Sequence, residues 1–280
     1  MFSKFGRSWE LTKQSFAVLA ADKRLLLLPV MSAIAALLVS VSFAVPVLAS
    51  GAFRGEQMRT ADYGILFGFY FLNYFVIVFF NSALVVCANT RLSGGHATLH
   101  DGLSAAWSRI SRIFMWALVA ATVGLVLRII EDRSQKLGRI VTWLLGTAWT
   151  LMTYFIVPVL VFEDLGVVGS VKRSTQLFKD TWGEEFASSF SFGLIWLMAI
   201  LAGVALAAGG FYVYPAVGIA VAVGYLLLLA VVAAAVKTIF TVALYRYATA
   251  GQVPAGFTPE LVQSAFGAPR KLPAGAGTIG

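Results

Sequence analysis

The chain has 280 residues, 59% hydrophobic and 12% charged, with a net charge of +8 and a mean hydropathy of +0.85. Soluble domains carry about 25% charged and about 45–50% apolar residues, so this composition excludes a water-soluble globule. A single cysteine, Cys87, excludes an intramolecular disulfide framework, and two histidines leave little for metal or acid–base chemistry.

In chain order, the first element is an amphipathic helix over 3–19, matched later by one over 168–182. Phe2, Phe5, Trp9, Phe16 and Leu19 follow 3–4 spacing and share one face, while Lys4, Arg7, Glu10 and Gln14 lie away from it. A basic helix with bulky aromatics on one side, directly ahead of an apolar run, belongs in the plane of the membrane interface. The first span follows at 25–48, with Asp22 as its cap and Lys23 and Arg24 at headgroup depth. Val47-Leu48-Ala49 resembles a leader cleavage site, but the segment ahead of it has a 24-residue n-region and an overlong apolar core. Leader cores run about 7–15 residues, so this segment is read as a span.

The second span, 65–88, closes at Arg91 and carries Asn73 and Asn81, whose amides need partners inside a helix bundle. Gly94-Gly95 then open a loop. The third span, 113–127, is short before Arg128, which must snorkel. The fourth, 140–162, kinks at Pro158 and ends at Glu163-Asp164, acids that favour the dipole of the helix after them. Residues 186–236 contain no Asp, Glu, Lys or Arg. As one helix that stretch would run roughly 75 Å, more than twice the ~30 Å hydrocarbon core. Gly209-Gly210 and Pro215 divide it into a fifth and a sixth span, 190–208 and 216–244, with Lys237 inside the last. Residues 251–280 hold four of the eight prolines and read as a mostly disordered tail, in which Thr258-Pro259-Glu260 starts one short helix.

Loop charge orients the spans. With the N-terminus inside, cytoplasmic segments hold 14 of the 21 basic residues and outer loops six, although 131–139 is basic for an outer loop. This bias predicts a multi-pass protein of the cell membrane with both termini, and the tail, in the cytoplasm. The positive charge therefore needs no nucleic acid to explain it.

The amphipathic pattern returns 166 residues on: Arg7-Ser8-Trp9-Glu10-Leu11-Thr12-Lys13 aligns with Arg173-Ser174-Thr175-Gln176-Leu177-Phe178-Lys179, and Phe16 with Trp182. A fainter copy runs from Leu103-Ser104 through Trp107 to Arg109 and Ser111. The expected fold is an all-α integral membrane protein with six transmembrane helices as three hairpins, each preceded by an amphipathic interfacial helix. Residues 1–250 form one transmembrane domain, with repeat units 2–92, 98–163 and 167–248.

Val157-Pro158-Val159-Leu160-Val161-Phe162-Glu163-Asp164-Leu165-Gly166, followed by Val171-Lys172-Arg173-Ser174, Leu177, Lys179, Thr181, Trp182 and Gly183, resembles the signature of an uncharacterised prokaryotic six-span membrane protein family. Ser8-Trp9-Glu10-Leu11 and Ala21-Asp22-Lys23 extend the resemblance over about residues 2–250. More distantly it is similar to the membrane domain fused to some bacterial glycerophosphodiester phosphodiesterases. The resemblance implies a membrane protein of unknown function. No βα alternation that would encode the phosphodiesterase barrel occurs in the chain.

Little here points to catalysis. His96 and His100 are four apart and precede Asp101, but a metal site needs a further ligand and a supporting shell, and the glycines before them favour a plain loop. The spans supply no His, Asp or Glu to activate a nucleophile. No metal, cofactor or enzymatic role is expected. The preferred function is a non-catalytic membrane protein that engages lipid, anionic lipid in particular, or partner proteins (a second copy included) through its in-plane helices. Arg7, Lys13, Arg173 and Lys179 would contact headgroups, and Trp9 and Trp182 would anchor at the interface. The competing reading is a small-molecule or ion transporter or channel, its polar path near the second and sixth spans using Asn73, Asn81 and Lys237.

Overall fold

The computed structural model describes residues 2–50, 60–133, 137–182, 199–201, 203–204, 215–260 and 262. Every regular element among them is helical: α1 (Phe2–Ala21), a 3-10 turn (Lys23–Leu26), α2 (Leu27–Ser50), α3 (Thr60–Leu92), α4 (Leu99–Trp107), α5 (Ile110–Arg133), α6 (Leu137–Met152), α7 (Ile156–Phe162), α8 (Val167–Trp182) and α9 (Pro215–Ala250). Among the described residues, five stretches are long and apolar enough to cross a membrane: Lys23–Val45, Ala61–Leu92, Ile110–Glu131, Ile140–Phe162 and Gly218–Ala250. Leu37, Leu38, Val45, Trp143, Leu227 and Leu228 on them are more than half exposed. Apolar surface of that extent suits lipid rather than water. The expected span 190–208 lies outside the described residues except for 199–201 and 203–204, which are helical.

Local chemistry sets the boundaries. α1 ends at Asp22, whose carboxylate accepts the Arg24 N–H at 3.2 Å and starts the 3-10 turn. α4 starts on a reciprocal capping box, with the Asp101 N–H donating to Thr98 Oγ1 and the Thr98 N–H donating to Asp101. α9 begins at Pro215, where a fixed φ and a missing N–H cost nothing. The third span is longer than its sequence suggested. α5 continues through Arg128 to Arg133, and Arg128 and Glu131, three apart, pair at 3.5 Å on the helix itself.

The fourth span is broken rather than bent. Pro158 has no N–H, and its ring would strike the Tyr154 carbonyl four residues back. α6 therefore stops at Met152, turns through 153–155, and restarts as α7, whose residues Ile156–Val161 are all buried.

The chain forms two compact units, Met1–Pro29 with Ala88–His96 and Lys179–Gly280, and Val30–Cys87 with Ala97–Phe178. In the second unit, aromatic contacts link successive helices. Phe43 meets Phe69, Phe71 and Phe75 meet Phe114, and the Trp116 and Trp149 rings stack 5.6 Å apart. Gly102 lets α4 lie on α3. A Cβ there would stand 2.6 Å from Cys87 Sγ and 2.8 Å from the Ala83 carbonyl oxygen.

In the first unit, Leu11 of α1 packs with Phe240, Leu244 and Tyr247 of α9. Gly203 lies against the Tyr225 ring, whose hydroxyl donates to the Ala199 carbonyl at 3.1 Å. The segment after α9, placed in the tail by its composition, is folded against the protein as far as the described residues reach. Phe257 and Val262 are buried, the Ala255 N–H donates to the Leu92 carbonyl at 2.9 Å, and the Val262 N–H closes a turn on the Thr258 carbonyl. Gln14 ties it to α1, donating to Thr258 Oγ1 at 3.2 Å and accepting the Thr258 N–H at 3.3 Å.

Candidate functional site

α1 has two apolar faces where the spacing suggested one. Leu11, Ser15, Val18 and Leu19 recur at helical intervals and are buried. Trp9 and Phe16, one heptad apart and so about 20° apart around the axis, are 50% and 52% exposed. Leu19, grouped with them by spacing, turns inward instead. Lys13 stands about 40° from Trp9 on the outer face, its side chain 68% exposed and its Nζ 3.8 Å from the Glu10 carboxylate. The side chains of Phe2, Phe5 and Arg7 lie outside the described residues.

α8 repeats part of this arrangement. Leu177, aligned with Leu11, is buried, and Lys179, aligned with Lys13, is exposed. Trp182 closes the helix, its side chain outside the described residues. Trp107 at the end of α4 is also largely exposed.

Arg173 is engaged differently from its expected role. Its Nε donates to both carboxylate oxygens of Glu163, at 3.1 and 3.0 Å, and both side chains are about three-quarters buried. Arg112 donates to the Glu163 carbonyl at 3.2 Å and pairs with the Asp164 carboxylate. Beside them Ser174, fully buried, accepts the Phe155 N–H at 3.0 Å, the donor released by the break before α7. Thr175 Oγ1 reaches the Met152 carbonyl at 3.4 Å as well as that of Val171 in its own helix. The run Glu163-Asp164 to Arg173-Ser174 therefore clamps a broken span to the helix after it. Dipole reasoning missed this pairing, whose signal was the opposite charges ten positions apart on either side of a Gly-containing turn.

The residues of the competing path are placed separately. Asn73 donates its amide to the Phe69 carbonyl of its own helix at 3.0 Å, and Asn81 is half-buried and interacting. Lys237 is exposed on α9. His96 Nδ1 lies 3.3 Å from Arg91 Nη1, and Cys87 contacts the Thr98 carbonyl at 3.5 Å.

One polar cluster had no forecast. Arg246 of α9 donates from Nη1 to Asn89 Oδ1 at 2.9 Å and Ser93 Oγ at 2.5 Å, and from Nη2 to Gln252 Oε1 at 3.1 Å. Its Nε is buried with no partner among the described residues. In the same unit, a cleft of about 300 Å³ is walled by Ala17, Val18 and Ala21 of α1, Arg91 and Gly94 at and just after the end of α3, and Ala255 and Gly256.

A family model described as "Family of unknown function (DUF6159)" matches residues 60–257, more than half the chain, so the chain belongs to that family. No curated protein and no solved structure matches it.

Proposed function

We propose, with membership of that family as the premise, that this is a non-catalytic integral membrane protein that engages anionic lipid through helices lying in the membrane plane. One observation carries the reading. α1 buries Leu11, Ser15 and Val18 in the protein while presenting Trp9, Phe16 and Lys13 outward together. An exposed aromatic pair beside a cation fits the boundary between headgroups and acyl chains, where amphipathic rings and basic residues are both favoured. The matching burial of Leu177 and exposure of Lys179 on α8 support a duplicated helix. Six spans in three hairpins, a repeat of helix plus hairpin, and cytoplasmic termini belong to the same proposal, as does the distant likeness of 157–183 to a phosphodiesterase membrane domain.

Lys13 and Lys179 are the headgroup contacts in this reading, with Arg7, which aligns with Arg173, joining Lys13 in the first copy. Arg173 serves the clamp on Glu163 before it serves lipid. A transport path through Asn73 and Lys237 has less support, since the Asn73 amide is spent on its own helix.

Site-directed spin labelling tests the placement. Phe16→Cys and Lys13→Cys, each in a Cys87→Ala background, are labelled in lipid vesicles. The label at 16 should collide with dissolved oxygen, which concentrates in the bilayer, and that at 13 with an aqueous nickel chelate. Equal aqueous access at both positions would refute an in-plane α1.

A further inference from the structure

Three chain segments that each adjoin a candidate span meet at the 300 Å³ cleft: the end of α1 ahead of Lys23–Val45, the end of α3, and the segment after α9. A cavity placed where spans end lies at headgroup depth if the spans cross a bilayer. Its volume is at the lower end of ligand sites, about 300–1,000 Å³, enough for a headgroup and too small for acyl chains as well.

The electrostatics select the headgroup. Arg91 lines the cleft, and Arg246 is bonded to Ser93 and Gln252, which belong to the segments that wall it. Among the described residues no carboxylate pairs with either arginine, and none lines the cleft. The Arg91 guanidinium, which lines the cleft and among the described residues meets only the His96 imidazole, is complementary to an oxyanion, and arginine presents its donors in a fork matched to phosphate. A zwitterionic headgroup would bring an ammonium that finds no acid there. The remaining wall (Ala17, Val18, Ala21, Gly94, Ala255 and Gly256) is small and apolar, leaving room beside a phosphate for uncharged glycerol carbons.

We infer that this cleft binds the phosphate of one anionic phospholipid whose headgroup carries no cation, with Arg91 as its principal donor. The inference deepens the proposed function by naming a lipid class and a single site, and it rests on that reading for the depth of the cleft.

The test uses the full chain in mild detergent with three probes: dioleoyl phosphatidylglycerol, dioleoyl phosphatidylcholine and inorganic phosphate. Native mass spectrometry should show one phosphatidylglycerol retained in preference to phosphatidylcholine, and millimolar phosphate should not displace it. Arg91→Gln, which removes the donor, and Ala21→Leu, which fills the cleft without touching a hydrogen bond, should each weaken that retention at least about tenfold. Arg91→Lys should keep part of it. If Arg91→Gln also lowers the unfolding midpoint, Ala21→Leu decides alone. Wild-type retention in Ala21→Leu, equal retention of phosphatidylcholine, or displacement by phosphate would each overturn the inference. The variants share no residue with those at Lys13, Phe16 and Lys179. Loss of the lipid in Ala21→Leu while labels at 13 and 16 prove equally water-accessible would reject the in-plane reading without rejecting the cleft.

Discussion

Ser174→Ala removes one oxygen from a fully buried site and leaves the protein's shape unchanged. That oxygen accepts the Phe155 N–H at 3.0 Å, and the break between α6 and α7 gives the amide no helical acceptor in its place. A buried donor left without a partner costs about 1–3 kcal/mol, whereas an ordinary exposed substitution stays within about 0.5 kcal/mol. Ser174 is 0% exposed, so water cannot substitute for the hydroxyl without opening the packing of α7. The upper half of that range is therefore expected, about 2–3 kcal/mol. Denaturant unfolding of the purified protein in mild detergent, followed by circular dichroism, gives the difference, with Gln176→Ala on the exposed side of α8 as control. Hydrogen exchange locates it: the Phe155 amide should lose protection before the middle of α9 does. A cost below about 0.5 kcal/mol with Phe155 protection unchanged would show that the hydroxyl does not hold the break.

Gly102→Ala should destabilise by about 1–3 kcal/mol through overpacking, since the new methyl meets both Cys87 Sγ and the Ala83 backbone. Adding Cys87→Ala should recover only part of this in a denaturant titration, because the backbone contact persists. Asp101 is held below the usual carboxylate range by the Thr98 N–H and hydroxyl, so its cap strengthens α4 above the unfolded value and is lost as pH falls through the lowered one. Protection of the first α4 amides, taken relative to intrinsic exchange at each pH, should therefore fall only below about pH 4, and Asp101→Asn should abolish that dependence. For topology, Arg54→Cys and Gly210→Cys in a Cys87→Ala background should react with an impermeant thiol reagent from outside, and Gln176→Cys on the exposed side of α8 should not. The reverse labelling would invert the orientation.

Apolar run length made the membrane helices legible in the sequence, because charge-free stretches longer than a bilayer have few other uses. That Pro158 disturbs its span, that Asp22 caps and that Pro215 interrupts the apolar run were legible for a similar reason, each following from one residue's own chemistry, whereas the full break before α7 was not. Side-chain partners across the fold were not. The spacing of Trp9, Phe16 and Leu19 is compatible with one face, and only the packing of α1 on α9 decides which residues turn inward. Arg173 and Lys179 look alike as cations in sequence, yet one meets Glu163 and the other is exposed, because the turn after α7 returns Glu163 beside α8. In sequence Arg246 is one more basic residue at the end of an apolar helix, since its acceptors Asn89 and Ser93 lie more than 150 residues away in the chain.

The most direct test of lipid engagement is thermal unfolding of the Lys13→Gln, Lys179→Gln double variant against wild type in two sets of vesicles, one containing phosphatidylglycerol and one purely zwitterionic. Each lysine held near an anionic surface contributes about 1 kcal/mol, so the pair should supply about 2 kcal/mol in anionic vesicles and close to nothing in zwitterionic ones. The account predicts a lowered midpoint for the variant in the anionic vesicles alone, shrinking as salt is raised. Identical midpoints for variant and wild type in both vesicle types would contradict it.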